Sequence, residues 1–179
     1  MRQSFRDPRI YALLCIYACA LQGKREVLHG GKKAGKLDAM PYSSFFISGL
    51  HSAARQMPRG ESSSCLRVEE ASLARLAAEA GLSLREAQKI ACEHGIWPER
   101  YVRNTSLFSA EEQARLLSAK VLQVGLGGLG GHLLDMMLRL GVGCIAGADG
   151  DLFEESNLNR QILATGATLG KAKALAAAE

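Results

Sequence analysis

Gly125-Leu126-Gly127-Gly128-Leu129-Gly130 sets glycines at the G-x-G-x-x-G spacing, which suits phosphate binding by backbone. Gly125 permits a tight turn, Gly127 lets the main chain approach a phosphate, and Gly130 lets the next helix pack on the preceding strand. A helix N-terminus adds free N–H groups and a partial positive charge. Alone, the hexapeptide is a weak signal in a chain with 19 glycines. Its context is more specific. It follows Lys120–Val124, which reads as a short buried strand, and opens a helix whose Leu129, Leu133, Met136, Met137 and Leu140 share a face. Gly141 ends that helix, Cys144–Ala148 reads as a second strand, and Asp149 stands at its end. The 24-residue step from Gly125 is near the ~20 expected for an acid that holds a ribose.

Strand, glycine turn, helix, strand and acid read as a βαβ nucleotide-binding unit. An NAD-binding module of an oxidoreductase would use the same turn and acid, but it gives no use for the residues that follow. Asp149-Gly150-Asp151 runs into Ser156-Asn157-Leu158-Asn159-Arg160-Gln161, with Gly170-Lys171-Ala172-Lys173 beyond. Together these segments resemble the ThiF/MoeB/HesA family of ubiquitin-activating-type adenylyltransferases. Arg100-Tyr101-Val102-Arg103 resembles the family's R-Y-x-R entry segment. The resemblance covers Arg100–Glu179, 80 of 179 residues, and its N-L-N-R-Q block is far more specific than the glycine turn.

The resemblance implies an ATP-dependent adenylyltransferase acting on the C-terminal carboxylate of a ubiquitin-like sulfur-carrier protein, as a cytoplasmic homodimer. It sets Gly125, Gly127, Gly128 and Gly130 under the ATP phosphates and Asp149 on the ribose hydroxyls, with Asp151 fitting the family's D-x-D. Asn157 and Arg160 would meet the phosphates, with Ser156 and Gln161 beside them, and Lys173 would approach the reacting α-phosphate. Arg103 matches an arginine that reaches across a dimer interface into the partner's ATP site. Attack of a carboxylate on the α-phosphorus expels pyrophosphate, so charge builds on phosphate oxygens. Preorganised Arg and Lys stabilise that charge more than the ground state. Mg²⁺ is expected with the ATP. The family's Mg²⁺-binding aspartate, thiol-bearing crossover loop and Cys-x-x-Cys zinc site would lie beyond Glu179, so these residues read as the N-terminal part of such an enzyme with no metal ligand of their own.

The expected fold class is α/β, with a partial Rossmann-like parallel sheet over residues 99–179. A small helical module over 63–98 and a basic leader over 1–62 precede it. In the module, Leu73, Leu76, Ala77 and Ala80 mark one amphipathic helix that stops at Gly81. Ser83-Leu84-Arg85-Glu86 is a capping box for a second, with Leu84, Ala87, Ile90 and Ala91 on one face. The outline is helix-turn-helix, yet Arg85 and Lys89 are offset by Glu86 and Glu93. A small packing module therefore fits better than a DNA-binding regulator, and nucleic acid is disfavoured as a partner. Trp97 reads as an anchor, and Ser109-Ala110-Glu111-Glu112 caps a third helix. His132 reads as an exposed helix residue rather than a catalytic one.

Residues 1–60 hold 10 Lys/Arg against 3 Asp/Glu, a net +7, while the rest holds 12 against 15, a net −3. Met1–Arg9 is basic and Ile10–Leu21 apolar, the outline of a secretory signal. The Gly/Lys/Ser-rich stretch after it reads as poorly ordered. The 12 residues of Ile10–Leu21 fall short of the ~20 needed to cross a bilayer. Five cysteines without a Cys-x-x-Cys argue for reduced thiols rather than a disulfide framework or zinc knuckle.

Overall fold

The computed structural model describes residues 14–17, 44–59 and 63–179, which fall into two compact units. Most of the expected leader, including its Gly30–Lys36 stretch, lies outside the described residues.

The first unit runs to Ser118. It opens with α1 (Ser44–Ala53), a finding at odds with a poorly ordered segment reaching residue 62. Phe46 and Leu50, one turn apart, are fully buried in a core with Val68, Leu73, Leu76, Ile90 and Ile96. Gly49 makes the packing close, because a Cβ there would stand 2.7 Å from a Leu76 methyl. The serines and glycine between these apolar positions blur the helical period in the sequence. Next come β2 (Arg55–Arg59) and β3 (Ser63–Val68), antiparallel, with β4 (Ile96–Pro98) parallel on the other side of β3.

Helices α2 (Glu70–Glu79) and α3 (Leu84–Glu93) form as their periodicity predicts, with Gly81 in the left-handed region at φ 69° between them. The Ser83 hydroxyl accepts the Glu86 N–H while the Glu86 carboxylate accepts the Ser83 N–H, at 3.2 and 2.8 Å. Ser109 and Glu112 repeat this exchange at the start of α4 (Ala110–Ser118). Trp97 is buried among Cys92, Tyr101, Val102, Ala114 and Leu117. That cluster ties the 3₁₀ helix Glu99–Ser106 and α4 to α3, so the helical unit extends past the expected boundary at residue 98 to Ser118.

The second unit holds β1 (Leu14–Tyr17), β5 (Lys120–Val124), α5 (Gly128–Leu140), β6 (Cys144–Ala148) and α6 (Lys173–Ala176). Its sheet has the order β1-β6-β5. β5 and β6 run parallel, paired from Lys120↔Cys144 to Val124↔Ala148, and β1 is antiparallel to β6. This is the expected α/β class, with β5–α5–β6 as the parallel βαβ unit.

Two burial expectations are corrected. β5 is an edge strand with one exposed face, and Val124 is 82% exposed. The buried side of α5 carries Gly131 and Leu134, whereas Leu129, Leu133 and Met136 are exposed. Close approach explains the inversion. A Cβ on Gly130 would stand 2.0 Å from the Gly125 carbonyl oxygen, so the helix seats its glycine side, and not its bulkiest side, near the strand end.

Candidate functional site

Three backbone features build the turn. Gly125 takes φ 90°, where a Cβ would be strained, and its N–H donates to the Ala148 carbonyl at 2.8 Å. Gly127 precedes the first residue of α5 and Gly128 begins it. Cβ atoms at Gly127 and Gly128 would meet their nearest neighbours at 3.7 and 3.6 Å, ordinary contact, in contrast to Gly130. Gly130 is therefore demanded by packing, while Gly127 and Gly128 are not.

Asp149 fastens this turn to the next loop. Its Oδ2 accepts the Leu126 N–H at 2.6 Å and its Oδ1 accepts the Asp151 N–H at 2.9 Å. A short antiparallel pairing then returns the chain to Asp151. Phe153 N–H donates to the Lys171 carbonyl at 3.0 Å, and Lys173 N–H donates to the Asp151 carbonyl at 2.9 Å. Lys173 is thereby placed with its ammonium 3.0 Å from Asp151 Oδ2 and 6.0 Å from the centre of the buried Phe153 ring. Asp151 is exposed, whereas Lys173 is only 6% exposed. A buried ammonium is costly unless paired, so Asp151 is what makes that position tenable.

The Ser156–Gln161 block crosses the same turn. Gln161 is buried with its side-chain amide beside Gly127, and the Arg160 carbonyl lies beside Gly128. The buried Oε1 of Gln161 has no hydrogen-bond partner. Asn157 is also buried. Its Oδ1 accepts the Glu154 N–H at 3.1 Å and its Nδ2 donates to Ser156 Oγ at 3.3 Å, so it shapes the loop. Arg160 is exposed and folds back, donating from Nη1 to the Ser156 carbonyl at 2.6 Å and to Asn159 Oδ1 at 2.9 Å.

The structure thus brings together the glycine turn, Asp149, Asp151, Lys173 and the Arg160–Gln161 segment. Arg103 lies in the other unit, exposed on the 3₁₀ helix. His132 is exposed on α5 and Cys144 is buried in β6. Burial pushes the Cys92 thiol up to about 12, which suits a packing residue better than a nucleophile. One residue escaped the sequence reading. Gln123 sits in β5 between Leu122 and Val124, and its amide donates to the carbonyls of Gly125 and Gly130. The available signal was a lone amide inside an apolar strand ending on the glycine turn.

Known proteins share this segment. Over 91 residues the chain is 41% identical to the adenylyltransferase and sulfurtransferase MOCS3 of Arabidopsis thaliana, covering 48% of this chain and 20% of that one. It is 39% identical over 82 residues to the SAMP-activating enzyme E1 of Haloferax volcanii, covering 45% and 30%. It is 40% identical over 80 residues to the probable adenylyltransferase/sulfurtransferase MoeZ of Mycobacterium tuberculosis, covering 44% and 20%. The chain therefore spans less than a third of the length of these relatives. Among solved structures, E. coli MccB with succinimide aligns with 59% of this chain and 36% of its own, at 28% identity and a TM-score of 0.41. The sequence model of the ThiF family matches residues 101–179. Across those residues the chain is similar to the ThiF family and to adenylyltransferases of the kind named above.

Proposed function

We propose that residues 119–179 hold ATP and serve the adenylyl transfer that activates the C-terminal carboxylate of a ubiquitin-like sulfur-carrier protein. The observation that carries this reading is the Asp149 carboxylate. It ties the glycine turn to Asp151, and Asp151 holds the buried Lys173 ammonium, so a phosphate cradle, an acid and a cation share one network. The relatives above, named as adenylyltransferases and an activating enzyme, support the same class.

The donor set fits ATP. Gly127 and Gly128 leave room where side chains would otherwise stand, and the 13-residue α5 presents its N-terminal N–H groups there. Each Asp149 oxygen accepts one backbone N–H and keeps a second lone pair suited to a ribose hydroxyl. Bound ATP supplies an α-phosphorus that a carboxylate can attack with loss of pyrophosphate. The Arg160 guanidinium can engage two phosphate oxygens at once after leaving the Ser156 carbonyl. Lys173 gives one N–H to Asp151 and has two more for oxygens gaining charge. Buried Asn157 holds the loop carrying Ser156 and Arg160, and Gln161 borders Gly127. In the same reading the protein works as a cytoplasmic homodimer, with Arg103 of one copy serving the site of the other.

Titration of the folded chain with Mg·ATP and with NAD tests the nucleotide assignment. The reading predicts tighter binding of ATP. Tighter binding of NAD would turn the site into a dinucleotide module and end the adenylyltransferase reading.

A further inference from the structure

Gln123 is the penultimate residue of β5, and its side chain is only 9% exposed. Its Nε2 donates twice, to the Gly125 carbonyl at 3.0 Å and to the Gly130 carbonyl at 2.6 Å. Its Oε1 is buried without a partner. The amide cannot reverse, because Oε1 would then face two carbonyl oxygens at those distances. An apolar residue would avoid the unpaired acceptor, and Val121, the other residue of β5 on the inward face, is apolar. Retaining an amide here is a departure from what packing alone favours, and such departures concentrate at functional sites.

We propose that Gln123 is a positioning residue for the phosphate-binding turn, acting by holding the Gly125 and Gly130 carbonyls toward the strand. The role rests on the nucleotide reading above. An anion at the N-terminus of α5 is attracted by N–H groups and repelled by any carbonyl oxygen facing it. Gly125 begins the turn and Gly130 lies in the first turn of the helix, so the two carbonyls flank the segment that forms the cradle. One side-chain amide engages both and fixes the helix start against the strand end. Asparagine is one methylene shorter, and an ionised glutamate at this position would repel both oxygens.

The test uses the full chain and two variants, read by ligand affinity and by hydrogen exchange. In Gln123→Met, which keeps length and apolar packing, affinity for Mg·ATP falls about tenfold, the scale of losing one to two net hydrogen bonds. Affinity for adenosine, which lacks phosphate, stays unchanged. In Gln123→Glu, ATP affinity is weak at pH 8 and recovers toward pH 5, where the protonated acid donates a hydrogen bond again, while the wild type lacks this recovery. Equal loss of ATP and adenosine, or no loss of ATP, overturns the proposal. Hydrogen exchange on the ligand-free chain separates this result from failure of the nucleotide reading. In Gln123→Met the amides of residues 126–131 exchange at least tenfold faster while those of β6 do not, and unchanged exchange at 126–131 overturns the lock even if no nucleotide binds.

Discussion

Lys173 is held on Asp151 twice, by its backbone N–H on the Asp151 carbonyl at 2.9 Å and by its ammonium on the Asp151 carboxylate at 3.0 Å. The two residues differ sharply in burial, and that asymmetry makes their loss unequal. Asp151→Ala leaves a buried ammonium without its carboxylate and costs about 2 kcal/mol of stability. Lys173→Met removes the buried charge together with its need for a partner and costs less. Urea unfolding of both variants checks the order. A larger loss for Lys173→Met would mean that the pair is held by the lysine's packing.

The turn glycines should separate into two classes. Gly130→Ala drives a methyl 2.0 Å from the Gly125 carbonyl oxygen, and relieving that overlap costs about 3 kcal/mol. Gly128→Ala meets nothing closer than 3.6 Å and stands in a helix, so stability is unchanged or slightly improved. The same methyl occupies the cradle, and ATP affinity drops. Thermal melts with ATP titrations on the two variants measure both halves of this statement.

At the start of α3, the Ser83 hydroxyl and backbone N–H hold the Glu86 carboxyl below the usual carboxylate range. A folded-state value lowered in this way contributes stability above the unfolded value, about 4.3, and loses it as the pH falls through the lowered folded value. Ser83→Ala therefore costs about 1 kcal/mol at neutral pH, and its penalty shrinks in acid. Denaturant unfolding at pH 7 and pH 3 checks the direction; an equal penalty at both would contradict it.

Cys92, almost fully buried and pushed up to about 12 by burial, should resist iodoacetamide at pH 8 in the folded chain and react once the chain is unfolded. Peptide mapping of the alkylated protein shows which occurs. Labelling of Cys92 under native conditions would mean that α3 opens locally.

Much of the second unit was legible because its determinants are local. A glycine hexapeptide after a strand, a left-handed glycine at the helix end and an acid after the second strand are read from adjacent residues, and all three stand where the spacing put them. Which face of α5 packs was not legible. Periodicity weights bulk, and the buried face is chosen by the absence of bulk at Gly130 and Gly131. Helix α1 escaped notice for a related reason, since only Phe46 and Leu50 mark its buried stripe among serines and glycine. The Asp151–Lys173 pair spans 22 residues and depends on the return of the chain at Phe153–Lys171, a long-range pairing that neither residue announces. The sequence did announce Arg160, through the specific block that contains it, although its side chain rests on its own loop.

Arg160 therefore carries the central claim, and ATP–pyrophosphate exchange measures it most directly. The assay pairs the enzyme carrying this chain with a ubiquitin-like sulfur-carrier protein bearing a free C-terminal carboxylate. The account predicts exchange for the wild type. It predicts a fall of about a hundredfold or more in Arg160→Ala, as for loss of one transition-state donor. Arg160→Lys should recover part of the rate, because an ammonium keeps the charge but not the paired donors. Stability should change by less than about 1 kcal/mol, since the side chain is exposed. Exchange at the wild-type rate in a folded Arg160→Ala protein would contradict the account.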